Sequence, residues 1–257
     1  MRRLTGLVLA AITSIGSVSA QGFTEGFGGD AEENWYVADY DFSHPKFDTD
    51  WHADHATFDD GLHLSLTPQP DKENDFAGAS VRREEATHYG RYSVLMQPAA
   101  GEGIITGFFT YTGAAYGTRH DEIDIEFLGR DTTAMNAAWF VDGVLQSRTV
   151  PLGFDAADEP RLYSFEWLPD AIRWYVDDRM ILEVTRDDGP LPEVPGMLFA
   201  NLWAADPIID SWSGTTRAGT RAAADVYCMS FTPLGDTGAF EAAPSCAPSA
   251  DVLAKME

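Results

Sequence analysis

Positive charge, cysteine, long apolar runs and helical periodicity are all scarce in this chain, and each scarcity narrows what the protein can be. Lys and Arg number 17 against 41 Asp and Glu, a formal net charge of −24. A surface that acidic repels nucleic acid and anionic membrane, so a neutral or weakly charged partner is expected; the same excess serves solubility. Beyond residue 20 no apolar run approaches the roughly 20 residues that a spanning helix needs, so no membrane segment is expected. The cysteines are two, Cys228 and Cys246. Without histidine partners nearby they make a poor metal site, and in an exported chain they read as one disulfide tying the C-terminal tail to the last strand. No long stretch sustains apolar residues at i, i+3, i+4 and i+7, so helix is expected to be minor, and no repeat of fixed period points to a propeller or solenoid.

What is present begins with a leader. Arg2 and Arg3 precede an apolar run from Leu4 to Ile12, and small residues end at Ser17-Val18-Ser19-Ala20. This pattern predicts a signal peptide over residues 1–20, cut before Gln21, and a secreted or periplasmic mature protein. Its removal leaves 15 basic against 41 acidic residues, a net charge of −26. Residues 21–232 are expected to form one all-β domain, and residues 233–257, rich in Ala, Pro and Ser, an irregular tail held by Cys246. Nothing calls for an obligate partner chain, so a monomer is expected.

Short runs alternate apolar with polar residues at Leu62–Leu66, Arg91–Met96, Tyr163–Trp167 and Ile172–Val176. Period-2 patterning in β-branched and aromatic residues predicts strands with one buried face. Asp60-Gly61, Asp142-Gly143, Asp177-Asp178 and Asp188-Gly189 are turn signals suited to positive φ, read as hairpins between neighbouring strands. Many short strands with close turns predict a two-sheet antiparallel sandwich.

The segment His120-Asp121-Glu122-Ile123-Asp124-Ile125-Glu126 carries the chemistry. From Asp121 to Leu128, Ile123, Ile125 and Phe127 alternate with Glu122, Asp124 and Glu126. On a strand, alternate side chains point to opposite faces, so the three carboxylates share one face and the apolar residues anchor the other. Mutual repulsion should raise at least one pKa. One protonated and one ionised carboxyl is what glycosidic cleavage uses. Residues i and i+4 lie roughly 13 Å apart at Cα on a flat strand, so a shared sugar demands a concave sheet. Aromatic residues able to stack on sugars lie in nearby strand candidates: Phe108, Phe109, Tyr111, Tyr116, Trp139, Trp203 and Trp212.

With Gly107–Gly113, Asp121–Gly129, Trp174–Asp177, Asn201–Trp203 and Asp210–Trp212 in this order, the sequence resembles glycoside hydrolase family 16. Within that family it is similar to bacterial lichenases and to exopolysaccharide depolymerases, over roughly residues 23–231. The resemblance implies a curved, concanavalin-like β-jelly-roll with a concave substrate cleft, and retaining endo-hydrolysis of a β-glucan by double displacement. It makes Glu122 the nucleophile, Glu126 the general acid and then base, and Asp124 the residue that tunes their protonation. Asn201 and Trp203 fall on sugar-contacting positions, Phe109 and Trp212 on cleft walls, Arg82 on a cleft arginine, and His120 where lichenases carry Trp. A single residue between Asp124 and Glu126 matches the unbulged group. No cofactor is required for catalysis; a structural calcium would be held by the carbonyls of Gly26 and Gly61 and by Asp225.

Departures bear on the sugar rather than the chemistry. The segment 39–44 lacks the donor-cleft Tyr and Asn, Ser80 stands for a sugar-contacting Glu and Ala138 for an Asn. The positions of an N-terminal disulfide hold Thr49 and Gly78. Three readings follow: an endo-β-1,3-1,4-glucanase, an endo-hydrolase of an exopolysaccharide or other β-glycan, or a jelly-roll that binds carbohydrate without cleaving it. Pure binding has no use for three repelling acids, which disfavours the last.

Overall fold

A computed structural model describes residues 21–27, 31–235, 237–240 and 246 of the chain. The expected signal peptide and most of the expected tail lie outside the described residues. In chain order the first strands are β1 (Phe23–Glu25), β2 (Tyr36–Val37), β3 (Thr49–Trp51), β4 (Ala56–Phe58), β5 (Leu62–Pro68) and β6 (Phe76–Arg82). Next come β7 (Gly90–Gln97), β8 (Ile104–Thr112), β9 (Asp121–Leu128), β10 (Ala134–Val141) and β11 (Val144–Pro151). The last are β12 (Arg161–Trp167), β13 (Ala171–Val176), β14 (Arg179–Thr185), β15 (Met197–Ala204) and β16 (Ala222–Pro233). Among the described residues the α-helix amounts to one turn, α1 (Asp210–Ser213).

The strands form a curved, nearly all-β structure with the order β11-β10-β9-β8-β15-β6-β5-β16-β7-β12-β13-β14. Pairing along this path is antiparallel; β3 joins β6 in parallel. The chain folds over at β5 and β6, where pairing is limited to Thr67↔Ala77 and Pro68↔Phe76. The two halves of the path thereby face each other as a jelly-roll sandwich.

The alternation written in β9 decides which side faces which. Ile123, Ile125 and Phe127 are fully buried between the sheets. There Phe127 meets Tyr163 of β12 at 4.8 Å between ring centroids, and Trp139 meets Trp174 at 6.0 Å. The Trp174 indole N–H donates to the Asp124 carbonyl at 3.0 Å, stitching β13 to the back of β9. Each such fully buried large side chain contributes about 1.5–3 kcal/mol, so β9 is anchored firmly through its odd positions.

The turn chemistry is as the sequence indicates at three of four sites. Asp142 and Gly143 (φ 51° and 78°) close β10 onto β11, and Asp177 and Asp178 (φ 47° and 62°) close β13 onto β14. Asp60-Gly61 joins β4 to β5. Asp188-Gly189 is different. It follows β14, but the next strand, β15, pairs with β8 and β6 in the opposite sheet, so the turn opens a crossover and not a hairpin. A two-residue turn signal marks a reversal but carries no information about which sheet the chain enters next.

Candidate active site

Cross-strand register lays the site out in rows. One row runs Asn136 (β10), Glu126 (β9), Gly107 (β8), Asn201 (β15) and Ser80 (β6). The next runs Ala138, Asp124, Phe109, Phe199 and Arg82, and a third places Phe140 and Tyr111 on either side of Glu122. All three carboxylates therefore project from the face of β9 opposite the core, as its period demands.

Their surroundings differ, and burial acts most on Asp124 and Glu126. Asp124 is 4% exposed. Burial first, then the charges of Glu122 and Glu126, and a hydrogen bond toward Glu122 that needs an Asp124 proton, hold its carboxyl well above the usual range. Glu126 is pushed up to about 7, chiefly by burial and further by Glu122; the Asn136 side chain, donating from Nδ2 at 2.8 Å, and the charge of Lys46 oppose the rise. Glu122 contacts the imidazole Nε2 of His120 through Oε2. A carboxyl that holds its proton up to about 7 thus stands four residues from one in contact with an imidazole nitrogen. That pair can deliver a proton and a nucleophile to opposite sides of one bond.

Asp121, the remaining acid of the segment, lies on the other face and does a different job. Burial disfavours its charge, but Arg119 at 2.9 and 3.0 Å and the backbone N–H groups of Glu193, Asp142 and Val194 outweigh it and hold its pKa down. It pins the start of β9 to the β10–β11 turn and to the segment before β15.

The expected sugar-binding residues are brought to this face with one change of role. Phe109 is half-buried and stacks on Phe199 at 5.0 Å. Arg82 lies over Tyr36 at 3.8 Å, with its Nε lacking a hydrogen-bond partner among the described residues. Asn201 sits beside Gly107, where a Cβ would come within 2.6 Å of its Oδ1; that Oδ1 also has no partner among the described residues. Trp212 and Asn136 line a surface cavity of about 310 Å³ with Leu128 and Arg130, on the Glu126 side. Trp203 is corrected: it is 5% exposed, and Phe47 stacks on it at 3.9 Å. The ring presented outward is Phe47, and Trp203 supports it from below. Phe108 and Trp139 are core residues, fully buried.

Sequence reasoning missed Asn136, Phe140, Phe199, Lys46 and Phe47, and read segment 39–44 only for the donor-cleft residues it lacks. Asn136 was legible as the polar residue in the apolar run Met135–Val141; the 42–47 segment was not, because it belongs to no strand. His44 feels the charge of Glu122, and Lys46 that of Glu126, so this segment brings two basic groups toward the carboxylates.

Of the residues expected to hold calcium, Asp225 has a partner of its own. Asp225 Oδ1 lies 2.6 Å from His63 Nδ1, while His63 Nε2 lies 2.8 Å from the Asp59 carbonyl. The imidazole thus engages the carboxylate that would be the ion's one anionic ligand. The disulfide between Cys228 and Cys246 is present.

Residues 43–224 match Glycosyl hydrolases family 16. The chain belongs to that family. It is a glycosidase that acts on a polysaccharide. It is 35% identical to the beta-glucanase of Bacillus licheniformis over 236 residues, 90% of this chain and 96% of that protein. To the beta-glucanase of Paenibacillus macerans it is 35% identical over 213 residues, 82% and 88% of the two chains. Among solved structures it is similar to a prokaryotic beta-1,3-1,4-glucanase (lichenase) from a mouse hindgut metagenome, with TM-score 0.78, 34% identity, and 82% and 99% of the chains covered. The family 16 fold and the one-faced carboxylate strand therefore agree with the resemblance read from the sequence, while the comparisons leave the individual site residues to be argued from geometry.

Proposed function

We propose that the protein is an exported, retaining endo-β-1,3-1,4-glucanase. The observation that carries this reading is the one-faced carboxylate strand: Glu122, Asp124 and Glu126 project together from β9, Glu126 holding its proton up to about 7 and Glu122 in contact with His120. In the first step Glu122 attacks the anomeric carbon as Glu126 protonates the leaving oxygen; in the second, Glu126 takes a proton from the water that hydrolyses the glycosyl ester. Protonated Asp124, between them, donates toward Glu122 and keeps a second negative charge out of the strand centre. Residues suited to sugars lie on both sides of the carboxylates. Arg82 is three strands away, roughly 14 Å at about 4.8 Å per strand, and the Trp212 cavity lies on the other side. Binding on both sides suits cleavage within a chain, and the similar proteins are named beta-glucanase and lichenase.

A second reading keeps the chemistry and changes the polymer to an exopolysaccharide or other β-glycan. It is favoured by Phe47 covering Trp203 and by His44 and Lys46 reaching toward the carboxylates. Product analysis on barley glucan, laminarin and an acidic exopolysaccharide, with E122Q beside the wild type, tests both. Reducing ends from barley glucan that vanish in E122Q are expected. Undiminished turnover by E122Q refutes the assigned chemistry, and cleavage of the exopolysaccharide alone moves the substrate to the second reading.

A further inference from the structure

We propose that His120 is a positioning residue for the nucleophile, donating Nε2–H to Oε2 of Glu122 throughout the reaction, an inference that rests on Glu122 being the nucleophile. The geometry comes from three elements. His120 immediately precedes β9 and, two residues before Glu122 on an extended chain, projects to the same face. Its ring stacks on Phe140 of β10 at 4.5 Å and 19°, and meets Tyr111 of β8 edge-on at 5.1 Å. Phe140 and Tyr111 are the two residues paired with Glu122 across the sheet. The backbone is fixed as well, because the His120 carbonyl accepts the N–H of Gly143 at 2.9 Å from the β10–β11 turn. Among the described residues, the polar neighbour that Nε2 of this clamped imidazole contacts is the Glu122 carboxylate.

An ionised carboxylate can only accept, so Nε2 must carry the proton. That fixes which oxygen attacks. With Oε2 engaged, Oε1 supplies the electron pair that bonds to the anomeric carbon as the glycosidic C–O bond breaks and the leaving oxygen takes the Glu126 proton. Oε2 then becomes the carbonyl oxygen of the glycosyl ester. When water attacks the anomeric carbon and passes a proton to Glu126, the C–Oε1 bond breaks and its electron pair returns to the carboxylate, where the His120 donor meets the returning charge. His120 transfers no proton at any stage. A donor aimed where charge redevelops in the second transition state acts on kcat more than on substrate binding.

Two measurements test this. On whichever polysaccharide of the panel the wild type cleaves fastest, H120F keeps the stacked ring and removes the donor, and H120Q restores an N–H. H120F is expected to lower kcat about tenfold or more with KM within about twofold and an unchanged Tm, the loss of one charge-assisted hydrogen bond, and H120Q to recover most of it. Wild-type kcat in H120F, or H120Q as slow as H120F, overturns the proposal. The second measurement needs no substrate: 15N-histidine NMR of the wild type and E122Q. In the wild type Nε2 of His120 should carry the proton, read from its 15N shift and one-bond N–H coupling, and E122Q should move that resonance because the acceptor changes from carboxylate to amide. A wild-type Nε2 without the proton, or a resonance that E122Q leaves in place, overturns the contact itself. E122Q that retains activity would instead remove the nucleophile assignment, an outcome separable from both.

Discussion

Replacing Glu126 by Gln should make the protein more stable while destroying its activity, and the gain should depend on pH in a direction fixed by burial. The Glu126 carboxyl rises from an ordinary 4.5 to about 7 in the folded chain. A raised carboxyl pKa means that the unfolded chain ionises first. Below about 4.5 both states are protonated and Glu126 costs nothing. Between 4.5 and 7 the unfolded state gains charge freely while the folded state resists, so stability falls as pH rises; above about 7 the full cost is present. At about 1.4 kcal/mol per pH unit, the separation is worth about 3 kcal/mol. Gln is nearly isosteric, keeps an acceptor for the Asn136 N–H, and never charges. E126Q should thus be about 3 kcal/mol more stable at pH 8, equivalent to roughly 6–12 °C in Tm for a chain of this size, and no more stable at pH 4. Thermal or urea unfolding at pH 4, 6 and 8 measures it. A stability difference between E126Q and wild type that does not change across those three values would refute the claim that burial holds this carboxyl protonated. On the proposed mechanism the same proton is spent in the first chemical step, so turnover should fall as pH rises through about 7.

G107A should injure function without much injury to the fold. Its Cβ would sit 2.6 Å from Asn201 Oδ1, and the amide can swing away, so Tm should move by a few degrees at most while kcat/KM drops about tenfold; a drop in Tm with unchanged kcat/KM would contradict this. C246S opens a link between residues 18 apart in sequence and should cost about 3 kcal/mol in urea unfolding, with a reducing agent producing the same loss in the wild type and none in the variant. Because His63 engages Asp225, EDTA or added calcium should leave Tm within about 1 °C; a shift of several degrees, reversed by calcium, would place an ion there after all.

The fold was legible wherever side-chain period decides it. β9 spans Asp121–Leu128, the segment marked by its alternation, because one face consists of Ile123, Ile125 and Phe127 and a slip of one residue would bury the three acids instead. The strands at Leu62, Arg91, Tyr163 and Ile172 follow for the same reason. Topology was less legible. The sequence around Asp188-Gly189 looks like that around Asp142-Gly143, yet one opens a crossover and the other a hairpin: β15 pairs between β8 and β6 while β14 stays at the end of the strand order, an outcome decided by the whole chain.

Within the site, legibility tracks how far a residue's partner is in sequence. Glu122, Asp124 and Glu126 are placed by their own strand. Asn136 reaches Glu126 from ten residues away through a single hairpin-like register, and a reading of β10 by period would have found it. Trp203 could not be placed, because its exposure is decided by Phe47, more than 150 residues earlier, in a segment without regular structure. Phe47 lies on Trp203 and His44 on Phe42, so the indole face on this wall of the cleft is capped by an aromatic stack. On the proposed mechanism the carboxylate strand breaks the bond and this remote segment forms the wall beside it, so the sugar accepted, measured on a polysaccharide panel, should follow substitutions at residues 42–47 far more than substitutions along β9.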